Sequence, residues 1–288
     1  MSSRQHCARL VRRGFGRWAG LAGLLVAVLL LTGNRVHACG PDTDCAVADG
    51  VYRVRPPAGW DGRSPLPAAV FFRGWQGSAA GVMADERLGK ALSDRGVLLV
   101  APDGIKGDWS FPNLPSPGHP RSDLAFVDAV LADVAQRYPI DRARLWATGF
   151  SLGGSMVWYL ACERAHSFAA FAPVAGAFWL PMPASCPTGP MSLSHIHGLT
   201  DAMVPLEGRE PTPGFVQGDV FAGMAVLRAT DGCNAAPTRF ETEGALVCRV
   251  WEGCTSGHVL RLCLHPYEHD MRPDWIVDAW NWVQSLPR

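Results

Sequence analysis

The chain has 288 residues, of which 48% are hydrophobic and 18% are charged. This length can bury one large core or two small ones, and the composition excludes a disordered chain. The 26 basic and 26 acidic side chains cancel, but six arginines and no acidic residue precede Cys39. The remaining 250 residues carry 20 basic and 26 acidic groups, a net charge of −6, which argues against nucleic acid and anionic membrane as partners.

Residues 1–38 are predicted to be a secretory signal peptide, outside the folded domain. An arginine-rich start is followed by the uncharged, mostly aliphatic stretch Trp18–Leu31. This stretch is shorter than the roughly 20 apolar residues that a membrane-spanning helix requires. Val36–Ala38 then offers a small-residue cleavage site. We therefore expect a periplasmic or extracellular protein with no membrane span, exported by the general secretory pathway or, because Arg12-Arg13 resembles a twin-arginine signal, by the twin-arginine pathway.

Eight of the nine cysteines lie after this signal peptide. An even number of cysteines in an exported chain predicts disulfides, and no spacing typical of a metal site is present. Two predicted strands would place Cys248 opposite Cys263. The other expected pairs are Cys233 with Cys254, Cys162 with Cys186, and Cys39 with Cys45. The alternative for Cys39 is lipidation, which would leave Cys45 without a partner.

Apolar segments alternate with amphipathic ones in the rest of the chain. The predicted strands, in chain order, are Ala68–Phe72, Val97–Ala101, Leu145–Thr148, Phe168–Val174, Leu193–His197, Val247–Trp251 and Val259–His265. The predicted helices are Glu86–Arg95, Asp123–Tyr138, Leu152–Arg164, Val220–Thr230 and Pro273–Gln284. This alternation predicts one α/β domain over residues 39–288, with a mostly parallel central sheet and helices on both faces.

The segment Thr148–Gly154 contains the pattern G-x-S-x-G between an apolar strand and an apolar helix. Such a pattern in this context indicates a nucleophile elbow. A sharp strand-to-helix turn needs glycines on either side of the serine, because a side chain there would collide with neighbouring backbone. The sequence therefore predicts Ser151 as a catalytic nucleophile, with a glycine-rich helix cap as the alternative.

A serine nucleophile requires a histidine base that is oriented by a carboxylate. In α/β-hydrolases the acid and then the histidine follow the serine in the chain. Asp201 lies in the loop after the strand Leu193–His197, and His269 lies in the loop before the last helix. The alternative base, His265, continues a strand and is expected to be fixed by the sheet. We predict the triad Ser151, Asp201 and His269.

Two backbone amides are predicted to bind the oxyanion of the reaction. The first is the amide of Leu152, directly after the nucleophile. The second is expected from the loop after the strand Ala68–Phe72, at Trp75 or, in reserve, at Gln76. A simple turn shaped by the glycines of this loop is the alternative.

These motifs together resemble the secreted α/β-hydrolase esterases that group with polyhydroxybutyrate depolymerases and feruloyl or acetylxylan esterases. The resemblance covers most of residues 45–286. It rests on Gly149–Gly154, Ala161–Arg164, Phe168–Gly176, His195–Gly198 with Asp201 and Val204-Pro205, Asp231–Cys233, and Gly253-Cys254. It implies an α/β-hydrolase fold and a cofactor-free, metal-free hydrolase acting on a small ester or oligoester.

The chain departs from the pattern of this family at three places. Arg73-Gly74 replaces the usual His-Gly, Leu152 replaces an asparagine, and Tyr267–Met271 replaces a Gly-Gly-His-Thr-Trp loop. The resemblance implies polyhydroxybutyrate-type oligoesters as substrates, with feruloyl or acetyl esters of plant polysaccharide as the alternative. A peptidase is a further alternative. So is an inactive hydrolase fold that binds carbohydrate, which Arg73 keeps open. The sequence makes no prediction of the oligomeric state.

Overall fold

The fold is organised around one ten-stranded sheet. The computed structural model describes residues 39–112, 116 and 118–287, so the predicted signal peptide lies outside the described residues. The strands are β1 (Cys45–Val47), β2 (Gly50–Arg55), β3 (Leu66–Phe72), β4 (Leu98–Pro102), β5 (Ile140–Phe150), β6 (Ala170–Val174), β7 (Leu193–Gly198), β8 (Arg239–Glu243), β9 (Leu246–Trp251) and β10 (Leu260–His265). The helices are α1 (Ala79–Ala84), α2 (Glu86–Ser93), α3 (Asp123–Arg137), α4 (Leu152–Glu163), α5 (Val220–Asp231) and α6 (Pro273–Ser285).

The strand order is β1-β2-β4-β3-β5-β6-β7-β10-β9-β8. The six central strands of this order, β4-β3-β5-β6-β7-β10, pair in parallel with their neighbours. At the edges, β1 and β2 on one side and β9 and β8 on the other pair antiparallel. The predicted fold class, a mostly parallel α/β-hydrolase sheet, is confirmed. The carboxyl ends of β3, β5, β7 and β10 consequently lie along one edge of the sheet, where the predicted site residues follow them.

Helices cover both faces of the sheet, as the alternation of residues along β3 shows. Ala68, Val70 and Phe72 belong to a core that includes α3, α4 and α5, whereas Ala69 and Phe71 belong to a second core with α1, α2 and α6. Successive side chains of a strand point to opposite faces, so a strand buried on both faces is apolar throughout. This explains why the apolar runs of the sequence predicted the central strands.

The structure also contains four elements that the sequence analysis did not predict. These are β1, β2, β8 and α1. Strand β8 has the polar sequence RFETE and is mostly exposed, so no apolar run marks it. Helix α1 is six residues long and rich in small residues, and Ser78 caps its first turn by accepting a hydrogen bond from the amide of Gly81. The predicted strand Leu145–Thr148 is the buried end of the longer β5.

Four disulfides connect the eight described cysteines. The pairs are Cys39–Cys45, Cys162–Cys186, Cys233–Cys254 and Cys248–Cys263, the same pairing that the sequence analysis expected. Cys248 and Cys263 lie directly opposite each other on β9 and β10. The bond at Cys39 fits the disulfide interpretation rather than the lipidation alternative. Disulfides of this number are typical of exported proteins. In the part of the chain that the structure describes, no helix has the length and apolar character to cross a membrane.

Candidate active site

Ser151 lies on a strained turn between β5 and α4. Its φ of 58° and ψ of −122° are unusual for a residue with a side chain. The turn is fixed from both sides, because the Ser151 amide donates to Val174 O over 3.0 Å and the Ser155 amide donates to Ser151 O over 2.9 Å. Backbone strain of this kind persists only where the surrounding structure enforces it, and it concentrates at functional sites.

Glycines on both sides of Ser151 make this turn possible. A Cβ on Gly149 would lie 2.6 Å from Phe72 O and 2.7 Å from Gly153 O. A Cβ on Gly153 would collide with the carbonyl oxygens of Phe72 and Arg73. The end of β3 therefore packs directly against the turn, which brings the loop after β3 next to Ser151.

Asp201 and His269 are hydrogen-bonded to each other. The Nδ1 of His269 donates to Asp201 Oδ2 over 2.7 Å, although the two residues follow different strands, β7 and β10. The other carboxylate oxygen of Asp201 accepts from the amides of Met203 and Val204, at 2.9 and 2.8 Å. Burial alone would raise the pKa of Asp201, but these hydrogen bonds, with that of His269 first, lower it below its usual value. Asp201 is thus an ionised carboxylate that orients an imidazole.

The His269 ring lies beside the end of the strand that carries Ser151. Its centroid is 4.7 Å from that of Phe150, the residue before the serine. Because Nδ1 is bonded to Asp201, Nε2 is the nitrogen that remains for a proton transfer. The structure therefore brings Ser151, Asp201 and His269 to one edge of the sheet.

His265, the alternative base, has a different environment. It is the last residue of β10, it is buried, and its ring stacks on Trp275 of α6 at a centroid distance of 4.1 Å. Burial and the neighbouring His197 lower its pKa to about 4. These contacts support the packing role that the sequence analysis gave to His265.

Two further histidines lie in the core behind Asp201. Nδ1 of His195 donates to Pro173 O over 3.0 Å, and its Nε2 lies 2.8 Å from Nδ1 of His197. Nε2 of His197 donates to Val204 O over 2.7 Å. Burial lowers the pKa of both imidazoles. The two rings connect β6 to the turn that orients Asp201. The sequence motif includes both histidines but does not indicate these contacts.

Arg73 lies beneath the loop after β3 rather than in the space above Ser151. Its side chain is only 3% exposed. The guanidinium donates to the carbonyl oxygens of Gly74, Gly107 and Asp108, at 2.8, 2.7 and 3.2 Å. It lies 3.7 Å from the Asp103 carboxylate and 4.9 Å from the Trp109 ring. Arg73 thus connects the candidate oxyanion loop to the loop after β4.

The candidate oxyanion amides differ in their hydrogen bonding. Leu152 is the first residue of α4, where backbone amides have no partner within the helix. The amide of Gln76 donates to Gly107 O over 2.8 Å, so it is engaged within the loop. A Cβ on Gly74 would lie 3.4 Å from the Cβ of Ser151, which places the start of this loop against the serine. Trp75 rather than Gln76 is therefore the candidate for the second oxyanion donor, together with Leu152.

Exposed apolar side chains lie close in the chain to the candidate catalytic residues or to the loop that contacts Ser151. Trp75 is 67% exposed beside the loop glycine that contacts Ser151. Leu199 and Met203 flank Asp201, and Tyr267 precedes His269 by two residues; all three are exposed. We call these four residues the apolar rim. An open cavity of about 520 Å³ beside it is lined by Thr200, Pro266, Tyr267, Glu268, His269 and Asp270.

No group of three or more histidine, cysteine or acidic side chains suited to a metal ion occurs among residues 39–112, 116 and 118–287.

Comparison with known proteins finds relatives that are named as esterases. The chain is 30% identical over 186 residues to feruloyl esterase C of Emericella nidulans, covering 64% of this chain and 61% of the relative. It is 29% identical over 234 residues to a protein of Aspergillus terreus named probable feruloyl esterase C, covering 74% and 81%. The chain thus spans about three fifths of the length of the first relative. No family model matches the chain.

Solved structures with the same fold include an acetyl xylan esterase from Aspergillus awamori. It has a TM-score of 0.59 at 13% identity and covers 81% of this chain and 94% of its own. An S-formylglutathione hydrolase from Agrobacterium tumefaciens has a TM-score of 0.53 at 15% identity, with coverage of 83% and 90%. At these identities the similarity shows the fold alone. The chain therefore has the fold of α/β-hydrolase esterases and resembles the feruloyl esterases in sequence, as the motifs implied.

Proposed function

We propose that this chain is an exported serine esterase that hydrolyses carboxylic esters with Ser151, His269 and Asp201 as its triad. The observation that carries the proposal is the strained serine turn at the end of β5, next to the hydrogen bond between His269 and Asp201. A buried, ionised aspartate that orients a histidine beside such a serine is the arrangement that acyl transfer requires. The names of the relatives support ester hydrolysis as the reaction.

The proposed reaction uses these groups in turn. Ser151 Oγ attacks the ester carbonyl carbon while His269 Nε2 takes its proton. The amides of Leu152 and Trp75 stabilise the resulting oxyanion, and Asp201 stabilises the imidazolium. The intermediate then expels the alcohol, which takes the proton from His269. Water attacks the acyl-serine with His269 again as base, and the acid is released with the serine restored.

The apolar rim favours substrates with an aromatic acyl group. Trp75 presents a large exposed ring in the loop whose Gly74 lies against Ser151, and aromatic rings stack on one another with a gain beyond simple burial. The names of the relatives support the same class, because feruloyl esters have an aromatic acyl group. We therefore place feruloyl-type esters first. Polyhydroxybutyrate-type oligoesters, which the sequence resemblance placed first, become the alternative.

The position of Arg73 supports an active enzyme rather than an inactive binding protein. The departure from the family pattern at this residue kept the binding alternative open. However, the guanidinium is buried under the loop and bonded to backbone carbonyls, so it does not fill the space above Ser151.

The test is turnover of methyl ferulate, p-nitrophenyl butyrate and a hydroxybutyrate oligomer by the wild-type protein and by Ser151→Ala. We expect the highest kcat/KM with methyl ferulate, and a loss on the order of 10⁴–10⁶-fold in kcat for the variant. The melting temperature of the variant should stay within a few degrees of the wild type, because only a hydroxyl is removed. Undiminished turnover by Ser151→Ala would refute the triad, and a preference for the oligomer would support the alternative substrate.

Export is part of the same proposal. If residues 1–38 are a signal peptide, the mature protein recovered from the periplasm or the medium should begin at Cys39. N-terminal sequencing of that protein checks this, and an intact N-terminus would contradict it.

A further inference from the structure

A second cavity lies near the edge of the sheet that ends with β8, between α5 and the strands β8, β9 and β10. Its volume is about 370 Å³, within the range of small-molecule sites in proteins. It shares no lining residue with the cavity beside His269. Nine residues line it: Phe221, Met224, Arg228, Ala235, Pro237, Phe240, Arg249, Trp251 and Leu262.

The walls of this cavity follow from the periodicities of a helix and a sheet. Phe221, Met224 and Arg228 are spaced at i, i+3 and i+7 in α5, so they share one face of the helix. On the sheet, Arg249 of β9 lies directly opposite Phe240 of β8 and Leu262 of β10, so these three side chains share one face. Together the two rows form a trough with apolar and aromatic walls.

Both charged residues of the cavity are arginines. The Arg249 guanidinium lies 5.6 Å from the centroid of the Phe221 ring, and that of Arg228 lies 5.5 Å from the Trp251 ring. Arg228 is held in place by donating to the carbonyl oxygens of Asn234 and Ala235, and its buried Nε has no hydrogen-bond partner. Among the described residues, no carboxylate forms an ion pair with either arginine, although other arginines of these strands have acidic partners. The cavity thus keeps two positive charges without an acidic neighbour in its wall.

This combination selects one class of ligand. A guanidinium binds a carboxylate through two parallel hydrogen bonds. Exposed aromatic rings on both sides offer stacking to a further ring, and Phe240 is 67% exposed. We propose that this cavity binds a one-ring aromatic carboxylate, with the ring between Phe221 and Phe240 and the carboxylate at Arg249 and Arg228. The inference does not depend on the proposed activity of Ser151.

A second copy of the chain fits this face less well. A two-fold interface brings the same patch of both copies together. The arginines would then face each other without a carboxylate in the cavity wall to offset the repulsion. A small anion instead satisfies both guanidinium groups at once.

The experiment is calorimetric titration of the full mature protein with trans-cinnamate. Cinnamamide, which has the same ring but no charge, is the control ligand. Arg249→Gln and Phe240→Ala should each weaken cinnamate binding at least tenfold. Both side chains are exposed, so both variants should fold, which their melting temperatures check. Arg239→Gln is the matched control variant, because Arg239 precedes Phe240 on the same edge strand and points to the other face of the sheet. Its affinity for cinnamate should stay within twofold of the wild type.

Several results would overturn the proposal. Binding of cinnamate that Arg249→Gln leaves unchanged would show that the acid binds elsewhere, including at the apolar rim. Equal binding of cinnamamide, or an equal loss in Arg239→Gln, would remove the role of the cavity arginines. A wild-type dimer that Phe240→Ala converts to a monomer, without cinnamate binding in either protein, would show that this face is an interface between copies.

Discussion

Arg73→Lys tests whether the candidate oxyanion loop depends on a buried guanidinium. Arg73 connects the loop after β3, which holds Trp75, to the carbonyl oxygens of Gly107 and Asp108. Lysine keeps the positive charge, but its three N–H donors sit on one nitrogen at the end of a flexible stem, so it cannot reproduce a planar fork that bonds three separate carbonyl groups. The substitution therefore changes the geometry of the loop more than its electrostatics.

The three hydrogen bonds set the expected magnitudes. A hydrogen bond to a charged group contributes about 1.5–3 kcal/mol. If lysine loses one or two of the bonds to Gly74, Gly107 and Asp108, the free energy of unfolding should fall by roughly 1.5–6 kcal/mol. For a domain of this size that lowers the melting temperature by roughly 3–24 °C. Loss of one oxyanion donor costs about 10²–10³-fold in kcat, so a displaced Trp75 amide should cost roughly 10–100-fold.

Parallel kinetics with two substrates separate this role from a substrate-binding one. The substrates are a neutral butyrate ester and a succinate half-ester. We expect Arg73→Lys to lower kcat by the same factor for both, with little change in KM, because the displaced amide acts in the transition state. An unchanged kcat, with a higher KM for the acidic ester alone and an unchanged melting temperature, would refute the reasoning and show that Arg73 binds the substrate.

Three further predictions concern the triad, the apolar rim and the disulfides. His269→Ala should abolish ester hydrolysis. His265→Ala should keep the activity but lower the melting temperature, because the variant loses the stacking of His265 on α6. The opposite pattern of activities would refute the choice of base. Trp75→Ala should raise the KM for methyl ferulate about tenfold, because an aromatic stacking partner is lost. The KM for acetate esters should stay nearly unchanged, since the substitution keeps the backbone amide. An equal change in KM for both esters would contradict stacking. Peptide mapping without reduction should find Cys248 joined to Cys263, and replacing both with alanine should cost about 2–5 kcal/mol of stability.

The parts of the site that the sequence predicts are those with a local steric cause. Gly149 and Gly153 are required because backbone oxygens approach them closely, and that requirement is visible as a pattern around Ser151. The sequence favours His269 over His265 as the base because a strand residue before a proline has little freedom, while a loop residue can reach a neighbouring strand end. The central strands were predicted because burial on both faces makes them continuously apolar.

The remaining features depend on contacts between distant segments. Arg73 is bonded to residues 34 and 35 positions later in the chain, and no local pattern encodes that partnership. The edge strand β8 is exposed and polar, so its pairing with β9 is decided by the hairpin rather than by burial. The histidine pair behind Asp201 forms because β6, β7 and the following turn meet in space.

A buried carboxyl group provides a test of stability against pH. Asp231 is fully buried at the end of α5; its Oδ1 accepts from the Met191 amide over 3.1 Å, while its Oδ2 has no hydrogen-bond partner among the described residues. Burial raises its pKa from 3.8 to about 7. Between pH 3.8 and about pH 7, the Asp231 carboxyl group therefore keeps a proton in the folded protein that it releases in the unfolded chain.

The free energy of unfolding should therefore fall as the pH rises from about 4 to about 7, by on the order of 3 kcal/mol from this group. Asp231→Asn keeps an oxygen for the Met191 amide and cannot ionise. Its stability relative to the wild type should thus increase steadily over that range and level off above pH 7. Urea unfolding of both proteins at five pH values measures this difference, in which the other titrating groups cancel. A difference that is constant with pH would mean that Asp231 is ionised in the folded protein throughout, and that burial does not hold its proton.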